Sequence, residues 1–302
     1  MMNTGVYSKR YIRIIWRYNM KKILIVFLAV TTLICGAADK KKIVRVVSVS
    51  PNMTEIICAL GQEKSLIGRS DVCDYPASVK NVPIVGKFGR PNFERVIASK
   101  PDYIVSSAMQ DKALIKRFQD FKIKVLFLPA KNFDDYLKSL KIMGKILNCP
   151  KKAAKLIDTT QKELKKLKRE AAEIPEKEKV KAFIVIQGIP LITVGNKSFI
   201  NDMVKLAGGI NVSGTQNKSY FHCSIEWLLG NQPDVLIMPG ISETRLKALI
   251  NSPGWKSFKA VKQGRYYYKL NTSEFFRMGP RTIKGVKALK TIFQSVKGHE
   301  KK

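Results

Sequence analysis

Two hydrophobic periods alternate along this chain, and the alternation sets out its fold. From Ile43 to Val49 the residues are almost all apolar, and Ser50-Pro51-Asn52 ends the run, as expected of a buried strand. Thr54-Glu55 opens a helical pattern that Gly61 stops, and a second strand begins at Ile67-Gly68. After Asp74-Tyr75-Pro76 and a loop reaching Val85-Gly86 come a short helix, a strand at 103–106, a helix near 111–121, a strand at 125–128 and a helix at about 133–147. A second series begins with a strand at 181–187. Residues 192–201 then turn into a helix that stops at Gly208-Gly209. A strand at 266–270 precedes an irregular loop over 271–281, and a last helix carries Val286, Leu289, Ile292 and Phe293. Strands alternating with helices predict parallel sheets with helices on both faces.

One stretch occurs twice with the same spacing. Asn92-Phe93-Glu94 runs to Pro101-Asp102, and Ser224-Ile225-Glu226 runs to Pro233-Asp234; an apolar strand follows each. Asn and Ser cap helix starts, while Pro-Asp ends a helix and opens a turn. Each copy is therefore a short helix delivering a strand, and the chain divides into two similar lobes. Between the copies, Ala153, Leu156, Ile157, Thr160, Leu164, Leu167 and Ala171 keep helical spacing among Lys and Glu. This predicts a rigid connecting helix of about 22 residues, roughly 33 Å long. The expected organisation is a leader at 1–38, an N-terminal α/β lobe at 39–147, the connecting helix at 148–175 and a C-terminal α/β lobe at 176–302.

Composition changes this picture at the start of the chain. Met20-Lys21-Lys22, an apolar run from Ile23 to Ile34 and the small residues Gly36-Ala37-Ala38 describe a secretory signal peptide, too short for a comfortable membrane span. Residues 1–19 add Arg10, Arg13 and Arg17, unusual for a signal, so Met20 stands beside Met1 as a start. Cys35 offers a lipid-attachment site, but Ile34 occupies the place of the usual small residue, which favours cleavage near Ala38. The first 38 residues hold six Lys or Arg and no acid, so residues 39–302 keep +26 of the chain's +32. The lysines are spread evenly and no nucleic-acid signature accompanies them, so nucleic acid is not an expected partner. Export would allow disulfides; Cys73 and Cys223 occupy corresponding loops, whereas Cys58 lies in an apolar helix. No nucleophile elbow, phosphate loop or dinucleotide fingerprint appears, which argues against an enzyme. A surface adhesin for acidic partners would rest on charge alone.

Seven motifs now stand in one order: Ser48-Val49-Ser50-Pro51-Asn52-Met53-Thr54-Glu55, Asp74-Tyr75-Pro76, the two Glu…Pro-Asp copies, Gly195-Asn196-Lys197-Ser198-Phe199, Pro253-Gly254-Trp255 and Gly279-Pro280-Arg281. In this order the chain resembles the periplasmic substrate-binding proteins of ABC importers for cobalamin, iron-siderophore and haem, the cobalamin-binding member most of all. The resemblance covers 43 to about 296 and implies two three-layer α/β lobes with parallel-type sheets, bridged by one long helix, with the ligand between them. It implies a periplasmic monomer without catalytic activity or a resident cofactor, delivering a small molecule to a permease dimer. The expected ligand is a corrinoid, with a ferric siderophore or haem as the alternative.

The resemblance gives Glu94 and Glu226 the role of docking one lobe on each half of that dimer; on residues alone, each carboxylate also complements a helix start by about 0.3–1 kcal/mol. The expected cleft lining is Ser50, Pro51, Tyr75 and Phe88 from the first lobe, with Tyr220, Phe221, Phe275 and Arg277 from the second. Flat aromatic faces plus a few polar groups suit a large macrocycle. Phe88 and Tyr220 stand where the cobalamin binder has tryptophans. His222 is one of only two histidines; a hydrogen-bonded loop role is the favoured account of it, with axial coordination of cobalt or iron as the lesser alternative and no metal site expected.

Overall fold

The computed structural model describes residues 43–300, so the leader expected at 1–38, with Met20 and Cys35, lies outside the described residues. In the first lobe β1 (Val46–Ser48) runs into α1 (Pro51–Ala59). Next come β2 (Leu66–Ser70), β3 (Ile84–Lys87), β4 (Arg90–Pro91), α2 (Phe93–Ser99), β5 (Tyr103–Ser106), α3 (Lys112–Asp120), β6 (Lys124–Phe127) and α4 (Phe133–Ile146). The sheet order is β4-β3-β2-β1-β5-β6, parallel except where β4 returns antiparallel along β3. Central β1 is buried along its length, which explains why its run is mostly apolar.

A long helix, α5 (Pro150–Ala172), leads to the second lobe. There β7 (Val180–Ile184), β8 (Gln187–Gly188), β9 (Leu191–Val194), α6 (Phe199–Leu206), β10 (Gly209–Asn211), β11 (Tyr220–His222), α7 (Ile225–Gly230), β12 (Val235–Ile237), α8 (Glu243–Ile250), α9 (Lys259–Lys262), β13 (Tyr266–Tyr267), α10 (Thr272–Phe276) and α11 (Thr282–Glu300) follow. A parallel sheet β10-β7-β12-β13 forms the lobe's main layer, and β11-β9-β8 makes a separate antiparallel sheet. The alternation of periods foretells the parallel layers and misses the small sheet, whose strands are too short to show a period. Tyr220 and Phe221 belong to it.

The duplicated segment folds the same way twice. The Asn92 side chain accepts the Arg95 N–H at 2.9 Å and the Ser224 hydroxyl accepts the Trp227 N–H at 3.1 Å. The Pro-Asp aspartates do more than turn the chain. Asp102 and Asp234 accept the backbone N–H of Arg45 and of Lys181, each at 2.8 Å, and their own N–H groups donate back to the same two residues at 2.8 and 2.7 Å. Each reciprocal pair sets the register of a repeat strand against its neighbour, β5 on β1 and β12 on β7.

The connector α5 starts on Pro150 and buries Ala153, Thr160 and Leu167, one residue every seven. Gly144 lets α4 approach it closely, since a Cβ there would come within 2.2 Å of the Ala153 Cβ. Glu163 and Glu170 tie α5 to α11 through Lys287 and Lys290, at 2.8 Å each. The largest apolar cluster runs from Val46, Ile56 and Met143 through Ala153 and Leu167 to Val180, Met203 and Leu289, so the two lobes share one core. No described helix is long and apolar enough to cross a membrane.

All four cysteines among the described residues are free thiols. Cys73 is buried and takes the Thr54 hydroxyl at 3.1 Å, so the bridge to Cys223 that export would allow does not form. Burial pushes the Cys58 thiol up to about 12 and raises those of Cys149 and Cys223, which keeps them protonated and poor nucleophiles.

Across the front of the lobes lies an ion cluster. Glu55 on α1 is only 3% exposed, and Arg281 grips its two oxygens at 2.8 and 2.6 Å. Arg277 reaches the same carboxylate at 3.4 Å, binds Asp74 at 2.5 and 3.3 Å, and donates to the Val72 carbonyl at 3.2 Å. The Tyr75 ring lies 3.9 Å from the Arg281 guanidinium carbon, and Asn52 donates to the Met278 carbonyl at 3.4 Å. The segment after α10 is thereby fastened to α1 of the other lobe.

Removing one partner of a buried ion pair strands the other in a low dielectric, so Glu55→Ala should lower stability by about 3–5 kcal/mol in chemical denaturation. A loss below about 1 kcal/mol would mean that the arginines re-solvate freely. Asp74 behaves differently because it is half exposed. Its hydrogen bond with Arg277 holds the carboxyl below the usual carboxylate range, against a smaller opposing effect of burial. Its contribution is complete above about pH 4, the unfolded value, and is lost as pH falls through the lower folded value. Asp74→Asn should therefore weaken the fold at neutral pH and flatten the acid limb of a stability profile below about pH 4.

Candidate ligand-binding cleft

In open α/β sheets ligands gather at the carboxyl ends of the strands. Both sheets of this chain deliver those ends to one place. From the first lobe Pro51 and Asn52 follow β1, Val72 follows β2, Ser107 and Gln110 follow β5, and Phe127 and Lys131 come from the end of β6 and beyond. With Phe88, and with Phe199, Tyr220, Ser273, Phe276 and Arg277 from the second lobe, they line a hollow of about 650 Å³. A second hollow of about 850 Å³ lies at the carboxyl ends of β7 and β12, lined by 185–189, 239–241 and one face of α8. Thr272 and Phe276 line both, so the two adjoin.

The floor of the first hollow is built by hydroxyls. The Ser50 side chain does not cap α1. Instead its hydroxyl pairs with that of Ser106 at 3.1 Å and accepts the Ser107 N–H at 2.9 Å. Ser106 also takes the N–H of Met109 at 2.9 Å, and Thr54 donates to Ser48 at 2.9 Å. The run of small hydroxylated residues around Pro51 thus replaces water at the turns after β1 and β5, where backbone groups would otherwise be buried without partners.

Pro51, Phe88, Tyr220 and Arg277 line the first hollow as expected from sequence. Ser50 does not, being fully buried beneath it. Phe275 is also fully buried, and its neighbour Phe276, 38% exposed, faces the cavities instead. Successive helical side chains point about 100° apart, so one of the pair enters the core and the other leaves it. Tyr75 and Phe221 lie outside the lining of either hollow; Tyr75 stacks on Arg281, and Phe221 alternates away from Tyr220 along β11. His222 is exposed at the end of β11 and lines neither hollow, and no cluster of three metal-ligating side chains occurs among the described residues.

Arg277 is committed to Glu55 and Asp74, which leaves Lys131 and Arg245 as the lining cations without an ion pair among the described residues. Sequence reasoning missed Glu55, Asp74 and Arg281 as a clamp, and Phe127, Phe276, Lys131 and Arg245 as lining. The clamp had a signal, a Glu and a Pro-Arg within two of the ordered motifs; Lys131 and Arg245 had none, because each is one cation among many. Glu94 and Glu226 lie apart from the cleft, exposed in the first turns of α2 and α7.

The family model described as periplasmic binding protein matches residues 46–269. The uncharacterised ABC transporter substrate-binding lipoprotein YvrC of Bacillus subtilis (strain 168) is 31% identical over 255 residues, covering 83% of this chain and 80% of the relative. A vitamin B12-binding protein of Vibrio parahaemolyticus is 26% identical over 84% of this chain and 90% of its own length. Among solved structures, the periplasmic heme-binding protein RhuT from Roseiflexus sp. RS-1 in apo form superposes with a TM-score of 0.75 at 21% identity, over 84% of this chain and 99% of that one. The two-lobed α/β fold, the cleft at its strand ends and these matches agree: the chain belongs to the periplasmic binding protein family.

Proposed function

We propose that the cleft captures a corrinoid outside the cytoplasm and that the lobes deliver it, as a monomer, to the permease dimer of an ABC importer. The general role is that of the family: the chain is a substrate-binding protein of an ABC importer, not an enzyme. The observation that carries the finer reading is the size and lining of the cleft. Two adjoining hollows of about 650 and 850 Å³ exceed the needs of an ordinary small metabolite, and drug-sized ligands take about 300–1,000 Å³. Phe88, Phe127, Tyr220 and Phe276 offer apolar faces to a macrocycle, while the exposed Gln110 offers hydrogen bonds to peripheral amides. The vitamin B12-binding relative supports the same ligand class. Haem or a ferric siderophore is the second reading, favoured by the lining cations Lys131 and Arg245, which make no ion pair among the described residues and suit carboxylates.

Calorimetric titration with cobalamin, cobinamide, haem and ferric siderophores should give submicromolar binding for the corrinoids, a Kd corresponding to about −8 kcal/mol or better. Tight haem or siderophore binding with no corrinoid binding would move the ligand assignment and leave the transport role in place.

Glu94 and Glu226 are the proposed docking groups. They occupy equivalent places on the two lobes, stay exposed, and make no ion pair among the described residues. A two-fold permease presenting one basic patch per half fits such a pair. The double variant Glu94→Lys/Glu226→Lys should abolish stimulation of the importer's ATPase while changing ligand Kd less than about twofold. Equal loss of ligand binding would assign both residues to the cleft instead.

A further inference from the structure

The hollow in the second lobe has a chemistry of its own. Val185, Ile186, Ile189, Leu249 and Phe276 give it apolar walls, and Arg245 is the one charged residue in its lining. Ile189 is 81% exposed, an apolar surface that gains when a bound group covers it. Its backbone walls are held in place by glycine: Gly240 adopts φ +85°, and a Cβ there would press on the Thr272 methyl at 2.9 Å. Arg245 projects from the first turn of α8, exposed and with no ion pair among the described residues, whereas Arg277 in the adjoining hollow is neutralised.

Resting on the capture role proposed above, we propose that this hollow is a subsite for an acidic oxygen group carried on an apolar or aromatic body, with Arg245 as the specificity-determining cation. The ligand's macrocycle occupies the first hollow and its appended arm passes Thr272 and Phe276 into the second. For a corrinoid the arm is the nucleotide loop, a phosphodiester joined to an aromatic base. For haem the same chemistry is a propionate on the porphyrin edge. A planar guanidinium pairs with either in a two-point hydrogen bond, and the apolar walls cover the adjoining ring.

The test compares ligands that differ in the acidic group. Cobinamide lacks the phosphodiester and base of cobalamin. Arg245→Gln should weaken cobalamin binding about ten- to hundredfold and alter cobinamide binding less than about twofold, read by calorimetry on the full mature chain. Arg245→Lys, which keeps the charge and loses the fork, should fall between. If the wild type takes haem, protohaem and its dimethyl ester replace the corrinoid pair with the same expectation. A wild type that binds the ligand while Arg245→Gln weakens both members equally, or neither, overturns the subsite alone. A wild type that binds none of the four overturns the ligand reading and the subsite together. Since Arg245 is exposed, unchanged thermal unfolding of the variant separates lost recognition from lost folding.

Discussion

Glu55 is the point on which the geometry of this molecule turns. A carboxylate on the first helix of one lobe is buried and gripped by an arginine from near the end of the chain, more than two hundred residues later. Such a charge is tolerable inside a protein only when nearly every lone pair is occupied, and Arg281 with Arg277 does this. The gain is less in net stability than in uniqueness. A slipped or rotated arrangement of the lobes would leave the carboxylate or the guanidinium without a partner, and that cost selects one docking.

From that docking the rest of the cleft follows. The segment carrying Arg277 and Arg281 also carries Phe276, Met278 and Gly279, so fastening the arginines sets one wall of the ligand site. The connector resists bending along α5, the two lobes share one apolar core, and ion pairs hold α5 to α11. Three restraints of different kind therefore act on one inter-lobe angle.

Much of the fold was legible in the sequence because its signals are local and doubled. The repeated caps and Pro-Asp turns appear as helix and strand in both lobes, and the period over 153–171 appears as α5. What could not be read is of two kinds. The strands β8 and β11, two and three residues long, show no period and are set by the hydrogen bonds that β9 offers them. Side-chain direction is the second. Phe275 and Phe276 are equivalent as letters, yet helix register buries the first and presents the second to the cleft. The motif around Ser50 suggests a ligand contact, but its hydroxyl, next to a strand end, is a partner for Ser106 and Ser107. Tyr75 has a cationic partner in Arg281 that no local pattern announces, because the two lie 206 residues apart in sequence.

The large positive charge takes a different meaning once the cleft is drawn. Lysines spread over the whole surface raise the local concentration of any anion and discriminate among none of them. Discrimination requires a cation in a low-dielectric, shaped place with its charge still available. Arg277 and Arg281 are in such a place, but Glu55 and Asp74 have taken their charge. Lys131 lines one hollow and Arg245 the other, one from each lobe, and neither makes an ion pair among the described residues. Composition alone merges basic residues that the structure separates: buried arginines tie the lobes together, whereas Lys131 and Arg245 line the cleft without an ion pair among the described residues.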